Sequence, residues 1–289
     1  MPDTPQDLAR RRLAAIEALQ EQIRTLVGPN LERELLEGLL SRLQQVMNEP
    51  ALLASLLDEF TQAVHLPVLS FVGQALLELP SLTLAYFAGL GGATDYAALR
   101  APLRDYLQTV FGLDAAGTPL PGGLLYTYAG DQRIKRALLS YGYRALTSGT
   151  GLVEYRAGLT QLITGGADSG GLYTRLHERA YDLFNESDRV LQGMVAEQAG
   201  FTAFLYLGGL IKTSRPFCRA RNGRVWLRNE IAAWKRLEFS GKPDPYEPMV
   251  QLGGYSCRHA LNALPNDIAM QLRPELREGP DGRLTLTPA

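Results

Sequence analysis

Apolar residues in the first two-thirds of the chain recur at intervals of three and four, and this regularity restricts the fold more than any other feature. Leu13, Ile16, Leu19, Ile23 and Leu26 form one such stripe, with Arg10 to Arg12, Glu17, Glu21 and Arg24 between them. That spacing lines one face of an α-helix. Gly28-Pro29 closes it. A second stripe, Leu31, Leu35, Leu39, Leu43 and Val46, runs up to Pro50, and a third passes through Leu52, Leu53, Leu56 and Leu57. Each lasts only about two to three heptads, which predicts helical hairpins or a short bundle rather than a long coiled coil.

Gly89 to Gly92 reads as a hinge, followed by a helix capped by Thr94 with Tyr96, Leu99, Leu103, Leu107 and Phe111 on its inner face. The loop from Gly117 to Gly123 reads as a linker. Further helices are expected over Gln132–Leu146, Leu152–Ile163 and, longest of all, Leu172–Gln198, with Leu172, Leu176, Leu183, Val190, Met194 and Val195 along one side. His177 on that helix reads as a surface residue. The stretch from Phe60 to Thr94 carries a single charge, Glu78, but Pro67 and Pro80 interrupt it. It is read as buried helix and loop, with no membrane span. The amino terminus becomes charged at once, so no secretory address is expected.

From about Leu205 the texture changes. Phe204–Ile211, Gly223–Leu227 and Tyr255–Leu264 read as strands, a helix capped by Asn229 runs through Trp234, and the residues after Pro265 read as an extended tail. The expected fold is mainly α, a helical N-terminal region with a small α+β C-terminal module. Its segments are 1–118 (helical bundle or hairpins), 119–204 (a helical region with the long helix) and 205–289 (the α+β module).

Hydrophobic content of 46% against 20% charged residues excludes wholesale disorder. With a net charge of -1, any affinity for polyanions must come from a local patch. One exists: Lys212, Arg215, Arg219, Arg221, Arg224, Arg228, Lys235 and Arg236 face only Glu230 in sequence, with Phe217, Trp226 and Trp234 interleaved as rings that could stack on bases. Such a patch either contacts nucleic acid or an acidic partner, or is consumed by internal pairing.

The two cysteines are too few for a disulfide scaffold or a four-sulfur metal site. On a strand, Cys257 and His259 would share a face, and Cys218 could meet them from the preceding turn. The readings left open are buried thiols, a disulfide, or three donors of a zinc site without an identifiable fourth. No Walker loop, dinucleotide fingerprint or HExxH motif is present.

The order of motifs in the last third carries a resemblance. A long helix (Tyr173–Gln198) leads to Phe204-Leu205-Tyr206-Leu207-Gly208-Gly209, then Thr213-Ser214-Arg215-Pro216-Phe217-Cys218, Arg221-Asn222-Gly223-Arg224-Val225-Trp226, and Gly253-Gly254-Tyr255-Ser256-Cys257-Arg258-His259. Over about Leu172 to Leu264 this resembles the head morphogenesis (minor head protein, Mu F-like) family of tailed bacteriophages. The resemblance implies a virion component near the portal vertex, present in the host cytoplasm during assembly. It further implies an oligomer or complex component with portal and capsid proteins as partners and double-stranded DNA as a contact. The alternative is a Cys/His or metal-dependent hydrolase, nuclease or effector sharing the module, centred on His259.

Overall fold

The computed structural model describes residues 4–26, 30–91, 94–129, 132–166, 169–171 and 174–287. It is mainly helical, with a small three-stranded sheet in the C-terminal region, as the periodicity indicates. The helices of the first half are α1 (Pro5–Thr25), α2 (Leu31–Ser41), α3 (Leu43–Asn48), α4 (Leu52–Phe60), α5 (Leu66–Leu90), α6 (Arg100–Phe111) and α7 (Leu124–Ala129). There follow α8 (Gln132–Thr147), α9 (Leu152–Thr164), the two-residue strands β1 (Gly165–Gly166) and β2 (Ser169–Gly170), and α10 (Thr174–Gln198). Two compact units result, interleaved in sequence: one comprises Met1–Ala18, Glu78–Asp105 and Asp182–Ala289, the other Leu19–Leu77 and Tyr106–Tyr181.

Among the described residues, the second unit is helical apart from β1, β2 and the turns that join its helices. The expected stripe of α2 and α3 is buried at Leu31, Leu35, Leu39 and Val46, and α4 buries Leu53 and Leu57 against α8. Tyr155, Leu159 and Ile163 of α9 are fully buried, and Tyr141 of α8 donates to the Tyr155 carbonyl at 2.7 Å. The loop around Gly117–Gly123 lies inside this unit as a packed turn rather than a linker. Leu113 bridges Pro119, and the Leu120 amide donates to Gly112 O at 2.8 Å.

The apolar stretch differs from its expected helix and loop. A π-helical turn over Thr61–His65 joins α4 to α5 without a break, and Pro80 lies inside α5. Proline in a helix costs about 3 kcal/mol, whereas Leu76, Leu77 and Leu79 are buried and contribute about 1.5–3 kcal/mol each, so burial outweighs the lost hydrogen bond. Leu52–Leu90 is long and apolar enough to cross a membrane by length and composition, with a mean hydropathy of 1.5 and 56% of its most apolar window buried. Gly89 is helical and packs on Leu8, so it is no hinge; Gly92 lies outside the described residues. Asp95, not Thr94, takes the amides of Ala97 (3.1 Å) and Ala98 (3.4 Å) ahead of α6, because its carboxylate reaches both.

In the first unit the chain after α10 forms β3 (Ala203–Gly208), α11 (Pro216–Arg221), β4 (Arg224–Leu227), α12 (Arg228–Ala233), α13 (Pro248–Gln251) and β5 (His259–Leu264). Strand β3 is central, antiparallel to both neighbours in the order β4-β3-β5. Alternation puts Ala203 and Leu205 on one face and Phe204 and Tyr206 on the other. The first face is closed by α14 (Asn266–Leu272) and the hairpin of β6 (Leu276–Glu278) and β7 (Leu284–Leu286). Ala203, Leu205, Val225, Leu227, Leu264, Ala269, Leu276 and Leu284 form one buried cluster there. The expected extended tail is therefore a structural lid. Its apolar residues are few and scattered: Ala269, Leu276 and Leu284 are buried in the cluster, with Ile268 and Met270 packed against it.

Arg273 behind α14 grips Glu230 of α12 through two hydrogen bonds of 2.6 and 2.8 Å. Burial would raise the pKa of Glu230, but Arg273 and the Leu227 amide outweigh it and hold the carboxyl below its ordinary value. A depressed carboxyl stabilises the fold above the unfolded value near 4.5 and loses that contribution as pH falls through the folded value. Glu230→Gln should cost about 1–2 kcal/mol at neutral pH, modest because the pair is partly open to water, and the deficit should vanish in acid. Urea titrations of both proteins across pH 3–7 check this at about half-unit steps.

Candidate metal centre

The second face of the sheet carries the chemistry. Tyr206 projects from the central strand and stacks on His259 of β5, ring centroids 4.8 Å apart. Cys218 comes from α11, a helix whose first turn starts on Pro216 and whose Phe217 and Cys218 are buried. Cys257 precedes β5 in a tight turn and is not on the strand, contrary to the expected Tyr255–Leu264. Ser256 takes a positive φ of 55° and its amide donates to Asp182 at 2.7 Å, which pulls this segment out of the ladder. The three residues meet even so, though not for the reason that strand alternation suggests.

Cys218 Sγ and Cys257 Sγ are 3.9 Å apart and free, and Cys257 Sγ lies 3.8 Å from His259 Nδ1. The three donor atoms lie within 4.8 Å of one another and all three residues are about 3% exposed. Such a group can hold a metal ion. The turn is shaped around it: a Cβ on Gly253 would stand 2.3 Å from Cys218 Sγ, and Gly254, at φ 83°, passes against Gly241 O. From α10, the buried Arg189 donates to the carbonyls of Val250 (2.8 Å), Cys257 (2.6 Å) and His259 (2.8 and 3.1 Å), which pins Cys257 and His259.

The electrostatics separate the two thiols. Cys257 is pulled well below the usual thiol value by the hydrogen bond from Cys218, with His259 and Arg189 adding to it against the opposing effect of burial. Cys218 is pushed up by its bond to Cys257 and by burial, so it keeps the proton it shares. Burial, then the charges of the two sulfurs, push Tyr206 up as well.

The basic segment does not form one open patch. Lys212, Arg219, Arg224, Lys235 and Arg236 are exposed, and Arg219 turns back onto the carbonyls of Ile211, Lys212 and Ser214 at 2.8–2.9 Å. Arg215 lies against Gly241 and Arg228 over the Phe204 ring. The Arg221 guanidinium sits 3.7 Å from the Phe217 ring centre and 4.8 Å from that of Trp234. Phe217 and Trp234 are buried against each other, so these rings are not free to stack on bases; they cage an arginine instead. Trp226 is half-buried and packs edge-on to Trp234.

Sequence reading missed a second buried polar cluster in this unit. Arg12 of α1, assigned there to the polar face, is buried and ion-paired with Asp188. It also donates to Asn262 Oδ1 at 3.3 Å, and to the amide oxygen of Gln192 at 2.7–3.2 Å in the orientation that satisfies that amide. Tyr206, Arg189 and Gly253 were also missed as parts of the cysteine site. The available signal was the polar series Asp182, Asn185, Asp188, Arg189 and Gln192, all buried along α10. Leu172, Leu176 and His177 have side chains outside the described residues. Comparison with protein-family models, curated proteins and solved structures finds no match to this chain.

Proposed function

We propose that the chain is a minor structural component of a tailed-bacteriophage head, assisting assembly near the portal, with zinc as the fastener of its C-terminal module. The observation that carries this reading is convergence. The separate segments on which the family resemblance rests, 204–209, 213–218, 221–226 and 253–259, meet around Tyr206, and the sulfurs and imidazole they bring are buried together. Two sulfurs and an imidazole suit zinc, whereas calcium and magnesium require oxygen. Burial of all three donors favours a structural role over a hydrolytic one, since a nucleophile must reach its substrate.

Mass-spectrometric copy number and cross-linking in purified particles test the assignment. Low copy number with cross-links to the portal supports it; absence from particles, with soluble protein in infected cells, overturns it. Contact with double-stranded DNA is part of the reading, through the exposed basic residues and not the caged Arg221. Lys212→Ala, Arg224→Ala and Arg236→Ala together should weaken binding and flatten the slope of log affinity against log salt by up to about 2.7, at about 0.9 per phosphate contact. An unchanged slope removes the segment from any DNA interface.

A further inference from the structure

We infer that Tyr206 is the fourth metal ligand: its phenolic oxygen, with Cys218 Sγ, Cys257 Sγ and His259 Nδ1, completes a buried four-donor site for a divalent transition metal such as zinc. The inference rests on the metal reading above and supplies the donor that the sequence alone does not identify.

The distances carry it. Tyr206 Oη lies 3.4 Å from Cys218 Sγ and 3.8 Å from Cys257 Sγ. Around a tetrahedral zinc with Zn–S of about 2.3 Å and Zn–O or Zn–N of about 2.0 Å, neighbouring donors fall about 3.8 Å apart for S and S and about 3.5 Å for S and O or N. The observed S–S separation of 3.9 Å and the S–N separation of 3.8 Å from Cys257 are close to those edges, as are both contacts of the phenol; the donors of Cys218, Cys257 and His259 span up to 4.8 Å, so the edge between Cys218 and His259 has to shorten as the ion binds. Sulfur atoms 3.9 Å apart are also not bonded to each other.

Enclosure makes the case by a second route. Structural zinc is almost always four-coordinate, and a site with three protein donors takes water as the fourth. Tyr206 has no exposed surface and the other three residues about 3%, so bulk water does not reach this position. Gly253 closes another side, with no room for a side chain. The other phenol of this region, Tyr246, is engaged, donating to Leu252 O at 2.5 Å. Tyr206 is placed by the central strand and by its stacking on His259, so its oxygen is fixed before any ion arrives. As bound, the ligands are two thiolates, one phenolate and a neutral imidazole, and the displaced protons pass to solvent.

The test is cobalt(II) titration of the reduced, metal-free full chain, with zinc competition, for the unaltered protein and for Tyr206→Phe, Tyr246→Phe and Cys257→Ser. Tyr206→Phe keeps the ring stack and removes only the donor. The unaltered protein should bind one equivalent with the visible absorption of tetrahedral cobalt and an ultraviolet tyrosinate difference band. Tyr206→Phe should lose that band and bind at least 10-fold more weakly, while Tyr246→Phe behaves like the parent and Cys257→Ser fails to bind. Equal affinity and spectrum in Tyr206→Phe, or no tyrosinate band in the parent, overturns the role of Tyr206 and leaves the metal site standing. No binding by the parent overturns the metal site itself. Thermal melts of the metal-free proteins separate loss of a ligand from loss of the fold.

Discussion

Asp188→Ala is expected to destabilise the protein by about 3–5 kcal/mol, because it strands the Arg12 guanidinium without a counter-charge where water does not reach. The side chains of Arg12 and Asp188 are 2% and 3% exposed. Burial is the largest influence on both, raising the pKa of Asp188 and lowering that of Arg12, while each charge pulls the other back toward its ionised form. The pair therefore holds what it has desolvated and adds little beyond that. Arg12→Ala should cost about as much as Asp188→Ala, and the double replacement Arg12→Met with Asp188→Leu should recover most of the loss. Urea denaturation of the parent and these three variants checks both; a cost below about 1 kcal/mol for Asp188→Ala would mean that the ion pair is solvated.

Arg189→Met should have the second largest effect, a loss of about 2–4 kcal/mol together with a 10- to 100-fold weaker grip on metal. One guanidinium satisfies three carbonyls from two segments, and methionine fills its volume without donating to any of them. Two of those carbonyls belong to Cys257 and His259, so the lost bonds release the turn that presents both donors. Arg189→Lys offers a discriminating control. Its charge is retained but its donors lack the planar fork, so stability should fall less than in the methionine variant while metal affinity still drops. If Arg189→Met loses stability and binds cobalt(II) as the parent does, the arginine supports the fold alone.

These two residues also show why the sequence was legible in part. Helices were read correctly where an apolar stripe was regular, as at Leu31, Leu35 and Leu39, since the stripe is the cause of the burial. The same logic puts Arg12 on the polar face of α1 and gives no reason to expect the polar series of α10 to be buried. A period of 3.6 reports which residues share a face, but a polar face buried by mutual hydrogen bonding has the same period as a solvated one. Cys218, Cys257 and His259 were found because they are rare residue types, and rarity needs no geometry. Tyr206 is one of 13 tyrosines, and nothing in its spacing distinguishes it. The lid over Ala203 and Leu205 is hidden for another reason: its buried residues Ala269, Leu276 and Leu284 are spread over three elements, too sparse for any periodic signal.

The burial of Arg12 also has a consequence for the order of events during synthesis. Its partner Asn262 is 250 residues further along the chain. At about 5–20 residues per second, about 12–50 s pass between translation of one and of the other. For the first 176 residues of that interval, until Asp188 is made, the inward face of α1 carries a guanidinium without its counter-charge, which keeps the nascent helix hydrated and opposes premature association of Ile16 and its neighbours. The charge is withdrawn from solvent only when Asp188 and Asn262 have both emerged, so an arginine costly to bury at the end guards the helix at the beginning.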